Sequence, residues 1–310
     1  MRKIITIAES VLDTIYHNGQ PVKSFTGGRI PCAAASLAQT GITTVMLSEC
    51  TTDWVGDIVV DYLKDHRVNV DSIDRYPEGR TAMSAIMTED GKPDRIINYG
   101  LYPDKRFKVA WPRIEKDDIV IFGSLYSIDL PQREHVNELI QYAMDRRAII
   151  IYLPGFQHGI DFRITRVMPG ILENIEYSDI IIAHDKDINT IFPGETVEQA
   201  FNSHIKFERN CYIHLHSNWD VMVYNNMKKE QFSYGGTKVD NMLGWQAGFT
   251  AGIAYMLIKK GITREELTNL DRDTQQQILD EARQWAMASL NEDNCIDRDF
   301  AASRCLEQSV

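Results

Sequence analysis

The sequence predicts an α/β protein in three layers, with a mostly parallel sheet between two sets of helices. Two observations carry that reading. From Asp117 onward, short β-branched runs alternate with stretches whose apolar residues recur at helical spacing. Such alternation builds parallel strands joined by right-handed crossover helices. The chain also opens on a short apolar run, Lys3 to Ala8, followed by the polar turn Glu9 to Asp13. In open α/β sheets, ligands gather at the carboxyl ends of strands.

The bulk properties set bounds on partners. The 310 residues contain 44% apolar and 25% charged positions, which suits one folded unit without disordered tracts. Against 33 basic residues stand 44 acidic ones, a net charge of −11. That balance opposes nucleic-acid binding, which needs a basic surface. The five cysteines contain no C-x-x-C pair, so a reducing cytoplasm is expected rather than a disulfide framework or zinc ribbon. The apolar run in MRKIITIAES is too short for a signal peptide, and Ala247 to Ile258 is too short for a membrane span. A soluble cytoplasmic protein is expected.

Taken in order, Lys3 to Ala8 reads as a buried first strand. Thr14 to Phe25 alternates around His17-Asn18-Gly19, a hairpin signal. Gly27-Gly28 leads into PCAAASLA, a small-residue helix closed by Gly41. Thr44 to Leu47 is a strand, Ile58 to His66 a helix and Val68 to Ile73 a returning strand. Ala82 to Met87 and Arg95 to Asn98 form two strands around Glu89-Asp90-Gly91. Strands follow at Ile119 to Phe122, Ala148 to Leu153, Ile180 to Ala183, Cys211 to Leu215 and Val221 to Tyr224. Helices are read at Gln132 to Arg146, Val197 to Phe201 and Gln275 to Leu290, and Glu173 to Tyr177 as the end of a helix.

The stretch YGGTKVDNMLGWQAGFTAGIAYMLIKK, Tyr234 to Lys260, passes glycines into an apolar helix. Amide groups and the helix dipole converge at such a start, which makes Gly244 and Gly248 candidates for binding an anion or nucleotide phosphate. His214 and His216 alternate on one strand face, a spacing that suits a metal. The sequence offers no third ligand at recognisable spacing, so both are read as polar residues at a strand end.

Several of these stretches resemble one family, the ribokinase-like (PfkB) carbohydrate kinases. Phe249, Ala251 and Gly252 match the close of its signature D-T-x-G-A-G-D-x-F-x-A-G, and Gly27 to Gly41 resembles G-G-x-x-x-N-x-A-x-x-L-A-x-x-G. Trp54-Val55-Gly56-Asp57 resembles a further motif, and the order of elements is similar along nearly the whole chain. The resemblance implies a ribokinase-like core with a small β-sheet lid over the substrate, here residues 14–26 and 82–108. It implies a sugar or nucleoside held by Asp13, Gly27, Gly28 and Cys32, with ATP and Mg²⁺ as cofactors and a homodimer formed through the lid.

The same comparison marks departures. The position of the family's catalytic aspartate holds Ala247 or Gln246, depending on the alignment, so no catalytic base is assigned. Cys32 stands where a sugar-binding asparagine is common. His184-Asp185-Lys186-Asp187 replaces N-x-x-E, leaving Asp187 as the candidate metal support. His214 to Trp219 replaces the glycines of the nucleotide strand. Two readings follow: a carbohydrate kinase homologue by descent, or a non-catalytic sugar- or nucleoside-binding protein on the same fold. A nicotinamide-dependent oxidoreductase is disfavoured because no G-x-G-x-x-G follows the first strand.

Overall fold

The computed structural model describes residues 2–89, 95–103, 110–155, 164–206, 211–216, 218–225, 228–236 and 242–306. Its first strand, β1 (Ile4–Ile7), is buried at every position, as a parallel strand covered on both faces must be. It lies near the middle of the larger sheet. Hairpin strands β2 (Val11–His17) and β3 (Gln20–Thr26) follow, then α1 (Arg29–Gln39), β4 (Thr44–Thr51), α2 (Trp54–Asp65), β5 (Ile73–Tyr76), β6 (Arg80–Thr88) and β7 (Arg95–Leu101). The second half runs β8 (Ile119–Gly123), α3 (Arg133–Asp145), β9 (Ile149–Leu153), α4 (Ile164–Tyr177), β10 (Ile180–His184), α5 (Asp185–Ile191), α6 (Val197–Ala200), β11 (Cys211–Leu215), β12 (Val221–Asn225) and β13 (Lys228–Phe232). It closes with α7 (Met242–Lys259), α8 (Arg272–Ala288) and α9 (Arg298–Ser303).

The larger sheet runs β13-β12-β11-β10-β9-β8-β1-β4-β5. It is parallel from β5 to β11 and antiparallel only at the β11-β12-β13 edge. Alternate residues of its strands enter two separate cores. Ile119, Ile121, Ile149, Ile151, Ile180 and Ile182 pack under α1, α7 and α8. Val120, Phe122, Ile150, Tyr152, Ile181 and Ala183 pack under α3, α4 and α5. This is the expected three-layer arrangement.

The smaller sheet runs β3-β2-β6-β7, with β2 and β6 parallel. Its hairpin turns at Asn18 and Gly19, both with positive φ (47° and 77°), the conformation a two-residue hairpin loop of this twist needs. The sheet is tied to the core through Asp53. One of its carboxylate oxygens caps α2 at Gly56 N (2.8 Å) and accepts from Thr81 Oγ1 (2.7 Å), while the other takes Thr81 N (2.9 Å). Residues 90–94 and 104–109, part of the second expected lid segment, lie outside the described residues.

Three expectations need correction. The strand read at Val68 to Ile73 is one bridge, Val45 to Asn69, and the paired strand is β5. Helix α2 starts at Trp54 rather than Ile58, because Asp53 supplies its cap. Strand β13 was not anticipated. Its exposed lysines and glutamine suit a sheet edge that must not recruit another strand. Among the described residues, no helix is long and apolar enough to cross a membrane.

Candidate functional site

Asp13 sits on β2, close to the sheet's carboxyl edge, and is only 1% exposed. Neither carboxylate oxygen has a hydrogen-bond partner in good geometry among the described residues. Burial raises its pKa to about 6, and the Ser84 hydroxyl opposite it on β6 offsets this only in part. Gly27 is required beside it, since a Cβ there would lie 2.2 Å from Asp13 Oδ2. Gly28, at φ 89°, starts α1. Cys32 is fully buried one turn on, its thiol turned toward Thr26 O (3.8 Å), and burial pushes its pKa up. Cys32 is therefore placed as a packed helix thiol.

A cavity of about 610 Å³ opens between the smaller sheet and the core, with Glu9, Glu49, Tyr102, Tyr126, Asp129 and Arg166 in its wall. Asp13, Gly27 and Gly28 are not in that wall. Asp13 is nevertheless close enough to Glu9 for their charges to couple. Burial raises the Glu9 pKa to about 7, and the charges of Asp13 and Asp129 add to the effect.

Arg29, the first residue of α1, joins these residues to the far side of the site. Its Nη1 donates to Asp187 Oδ2 (3.2 Å) and to Gln246 Oε1 (3.0 Å). The guanidinium also lies against Gly155, where a Cβ would fall 0.8 Å from Nη2. One side chain thus spans the ends of β9 and β10 and the start of α7. The sequence reading missed it, because nothing local distinguishes Arg29 from a solvated helix start.

At α7, the two alignments for the base position separate in space. Gln246 is half-buried and holds Arg29, whereas Ala247 is 0% exposed in the core. Gly244 lies in the helix's first turn. Gly248 lies a turn further in, where a Cβ would come within 2.5 Å of Trp285 O. Close contact with α8 accounts for a glycine at this position. Asp240 lies outside the described residues.

Asp187 is 4% exposed, and its Oδ2 also accepts from His184 N (3.0 Å) as part of a capping box. That oxygen is thus shared between a helix cap and Arg29. Aromatic side chains stand at the position of the nucleotide strand. Trp219 is buried at φ 74°, meets Trp245 edge-on (centroids 5.0 Å apart), and Trp245 stacks on Phe249 (5.7 Å). Trp219 in this aromatic block stands where the resemblance has a glycine.

The reading of His214 and His216 as unconnected polar residues also needs correction. Asp185, the first residue of α5, places Oδ1 2.8 Å from His214 Nε2 and 3.0 Å from His216 Nδ1. The third group comes from the neighbouring strand's end, which spacing along the chain could not reveal.

Comparison with known proteins agrees with the fold. The chain is similar in structure to a fructokinase with bound ATP from Xylella fastidiosa (TM-score 0.80, 16% identity, covering 100% of each chain). It is also similar to aminoimidazole riboside kinase from Salmonella enterica complexed with aminoimidazole riboside and an ATP analogue (TM-score 0.77, 10% identity, 98% of this chain and 100% of that one). A third similar structure is fructokinase from Vibrio cholerae O395 in its fructose-, ADP- and calcium-bound form (TM-score 0.77, 14% identity, 99% of each). No curated protein sequence matches the chain. The sequence profile of the pfkB family carbohydrate kinases matches residues 2–212, and the chain therefore belongs to that family.

Proposed function

We propose that the protein binds a sugar or nucleoside through its hydroxyls at Asp13, with the smaller sheet as a lid, and transfers phosphate slowly or not at all. The observation that carries this reading is the buried Asp13 carboxylate, whose oxygens have no hydrogen bond in good geometry among the described residues. A buried charge without donors is costly, and native proteins retain such groups for a use. Two adjacent hydroxyls of a polyol supply the missing donors. Relatives of similar fold are named for fructose and a riboside, which supports that ligand class.

The slow-transfer half rests on α7. Its first turn contains no acidic residue, and of the two candidate base positions one is a glutamine and the other a buried alanine. A positioned base contributes about 10²–10⁴-fold to such a reaction. Asp13 can orient a hydroxyl, and Arg29 can hold positive charge at the mouth of α7. Neither removes the hydroxyl proton at the transfer site. Relatives of this fold are named with ATP, or with ADP and calcium, bound, and we read the altered residues at the corresponding positions here as a weaker hold on such groups.

The test is a calorimetric and thermal-shift screen of free sugars and ribosides against the wild type and Asp13→Asn. At least one ligand is expected to bind, with affinity falling about 10- to 100-fold in the variant, the loss of one charged hydrogen bond. Equal binding by both proteins, or no binding of any sugar or riboside, would defeat the assignment. Brisk ATP-dependent phosphorylation by the unmodified protein would defeat the slow-transfer half alone.

The two base positions give a second prediction. Gln246→Asp puts a carboxylate beside Arg29 and should leave the melting temperature nearly unchanged. Ala247→Asp buries an unpaired charge and should destabilise by about 3 kcal/mol or more. Equal melting temperatures for the two variants would contradict this placement of α7.

We also place the protein in the cytoplasm and read it as a homodimer through the lid. Free Cys32, Cys50, Cys211, Cys295 and Cys305 support a reducing compartment. The open edges of β3 and β7 support pairing between lids. A monomer in sedimentation at high concentration would overturn the dimer.

A further inference from the structure

We propose that Asp185, His214 and His216 form a binding site for one divalent transition-metal ion of the zinc class. Its ligands are residues other than Asp13, the substrate candidate, and Asp187, the magnesium candidate. The donor set is two imidazole nitrogens and one carboxylate oxygen. That is a zinc-type set, whereas magnesium favours oxygen ligands and retained waters. With three protein ligands, a fourth position stays open for water or an anion.

The three ligand atoms all lie within 4.8 Å of one another. Two of the separations, at 2.8 and 3.0 Å, are hydrogen-bond lengths. Metal bonds of about 2.0–2.1 Å set tetrahedral neighbours about 3.3 Å apart, so the two histidine–carboxylate pairs would open by a few tenths of an ångström. In place of the two protons that Asp185 Oδ1 now accepts, a cation would satisfy all three groups at once.

The surroundings are those of a ligating histidine. His214 Nδ1 lies 2.7 Å from the buried Tyr212 hydroxyl. With Nε2 on the metal, Nδ1–H donates to the tyrosine oxygen, which fixes both tautomer and ring orientation. The parallel register of β10 and β11 sets Ala183 beside His214 and His184 beside Leu215. Asp185 and His216 are the next residues on each strand, so the pairing itself brings them together. His214 has a fully buried side chain, whereas those of Asp185 and His216 are each 31% exposed. The site thus has a rigid back wall and an open side through which an ion can enter.

The experiment uses untagged full-length protein freed of metal with a chelator. It is titrated with Zn²⁺ and, separately, with Co²⁺, whose visible spectrum reports coordination. Bound metal is counted by elemental analysis. The expected result is one ion per chain and a higher melting temperature with zinc. His216→Ala and Asp185→Asn should each weaken binding by more than about 100-fold, and Tyr212→Phe by about 10- to 100-fold. His216→Ala alters a half-exposed side chain, so its metal-free melting temperature should match the wild type and confirm folding. Absence of stoichiometric binding by the wild type would overturn the proposal. So would undiminished binding in both His216→Ala and Asp185→Asn, which would place the metal on other groups such as the thiols.

Discussion

Gly248→Val is expected to destabilise the protein by about 3 kcal/mol or more and to lower its melting temperature by roughly 5 °C or more. A Cβ at Gly248 would come 2.5 Å from Trp285 O, 2.6 Å from Ser289 Oγ and 2.8 Å from Ala286 Cα. Two of these are backbone atoms, which cannot swing aside as a side chain can. Gly252, one turn later, meets Ala282 Cα at 2.5 Å in the same way. The two helices therefore cross at a pair of glycines, and a valine side chain forces them apart. The residue's gain in helix propensity over glycine, under about 1 kcal/mol, does not offset that strain. Denaturant unfolding measures the difference. A valine variant within 1 kcal/mol of wild type would show that α7 and α8 do not cross as described.

The second large effect concerns Asp13 and pH. Its folded pKa, about 6, lies above the ordinary value of 3.8, so the native state holds the proton more tightly than the unfolded chain does. The stability this confers is complete below about pH 4 and is lost as pH rises through 6, to a total of about 3 kcal/mol. Asp13→Asn removes the charge and with it this loss. The variant should match the wild type near pH 4 and exceed it at pH 8 by up to about 3 kcal/mol, even as it loses ligand. Gains of this kind are characteristic where a strained group serves binding. Urea titrations of both proteins at the two pH values decide it, and a difference that does not change with pH would refute the burial of a charged Asp13. Glu9, raised to about 7 partly by Asp13, should titrate lower in the variant.

The fold was legible because its signals are local. Uninterrupted runs such as Ile149 to Leu153 can be buried on both faces only in a parallel sheet, and Asn18-Gly19 encodes its own turn. Parts of the site were legible in the same way: Asp13 follows a buried strand, and Gly27-Gly28 precedes a helix of small residues. What escaped notice depends on pairing between distant segments. Arg29 acquires its role only when α5 and α7 arrive, with partners 158 and 217 positions later. Asp185 joins His214 and His216 across a strand register that no spacing encodes. Helix α5 went unseen because its seven residues begin with a histidine cap and a mixed-charge turn. Gly248 was read as part of an anion-binding turn, since a glycine needed for helix contact looks the same in sequence as one needed for an amide cradle.

The central position of β1 has a consequence for the order in which the chain can be made. β1 is made well before one of its two neighbours, β8, which begins at Ile119. The apolar face formed by Ile119, Ile151, Ile182 and Ile213 waits longer still for Trp245, Phe249, Ile253 and Trp285, which the last quarter of the chain supplies. A nascent chain halted after β11 carries a sheet whose isoleucine face is covered by α1 but still lacks α7 and α8. Non-local pairing of this kind folds slowly and leaves sticky surface in the interim. Truncation before Met242 is therefore expected to yield chains that aggregate or stay bound to chaperones.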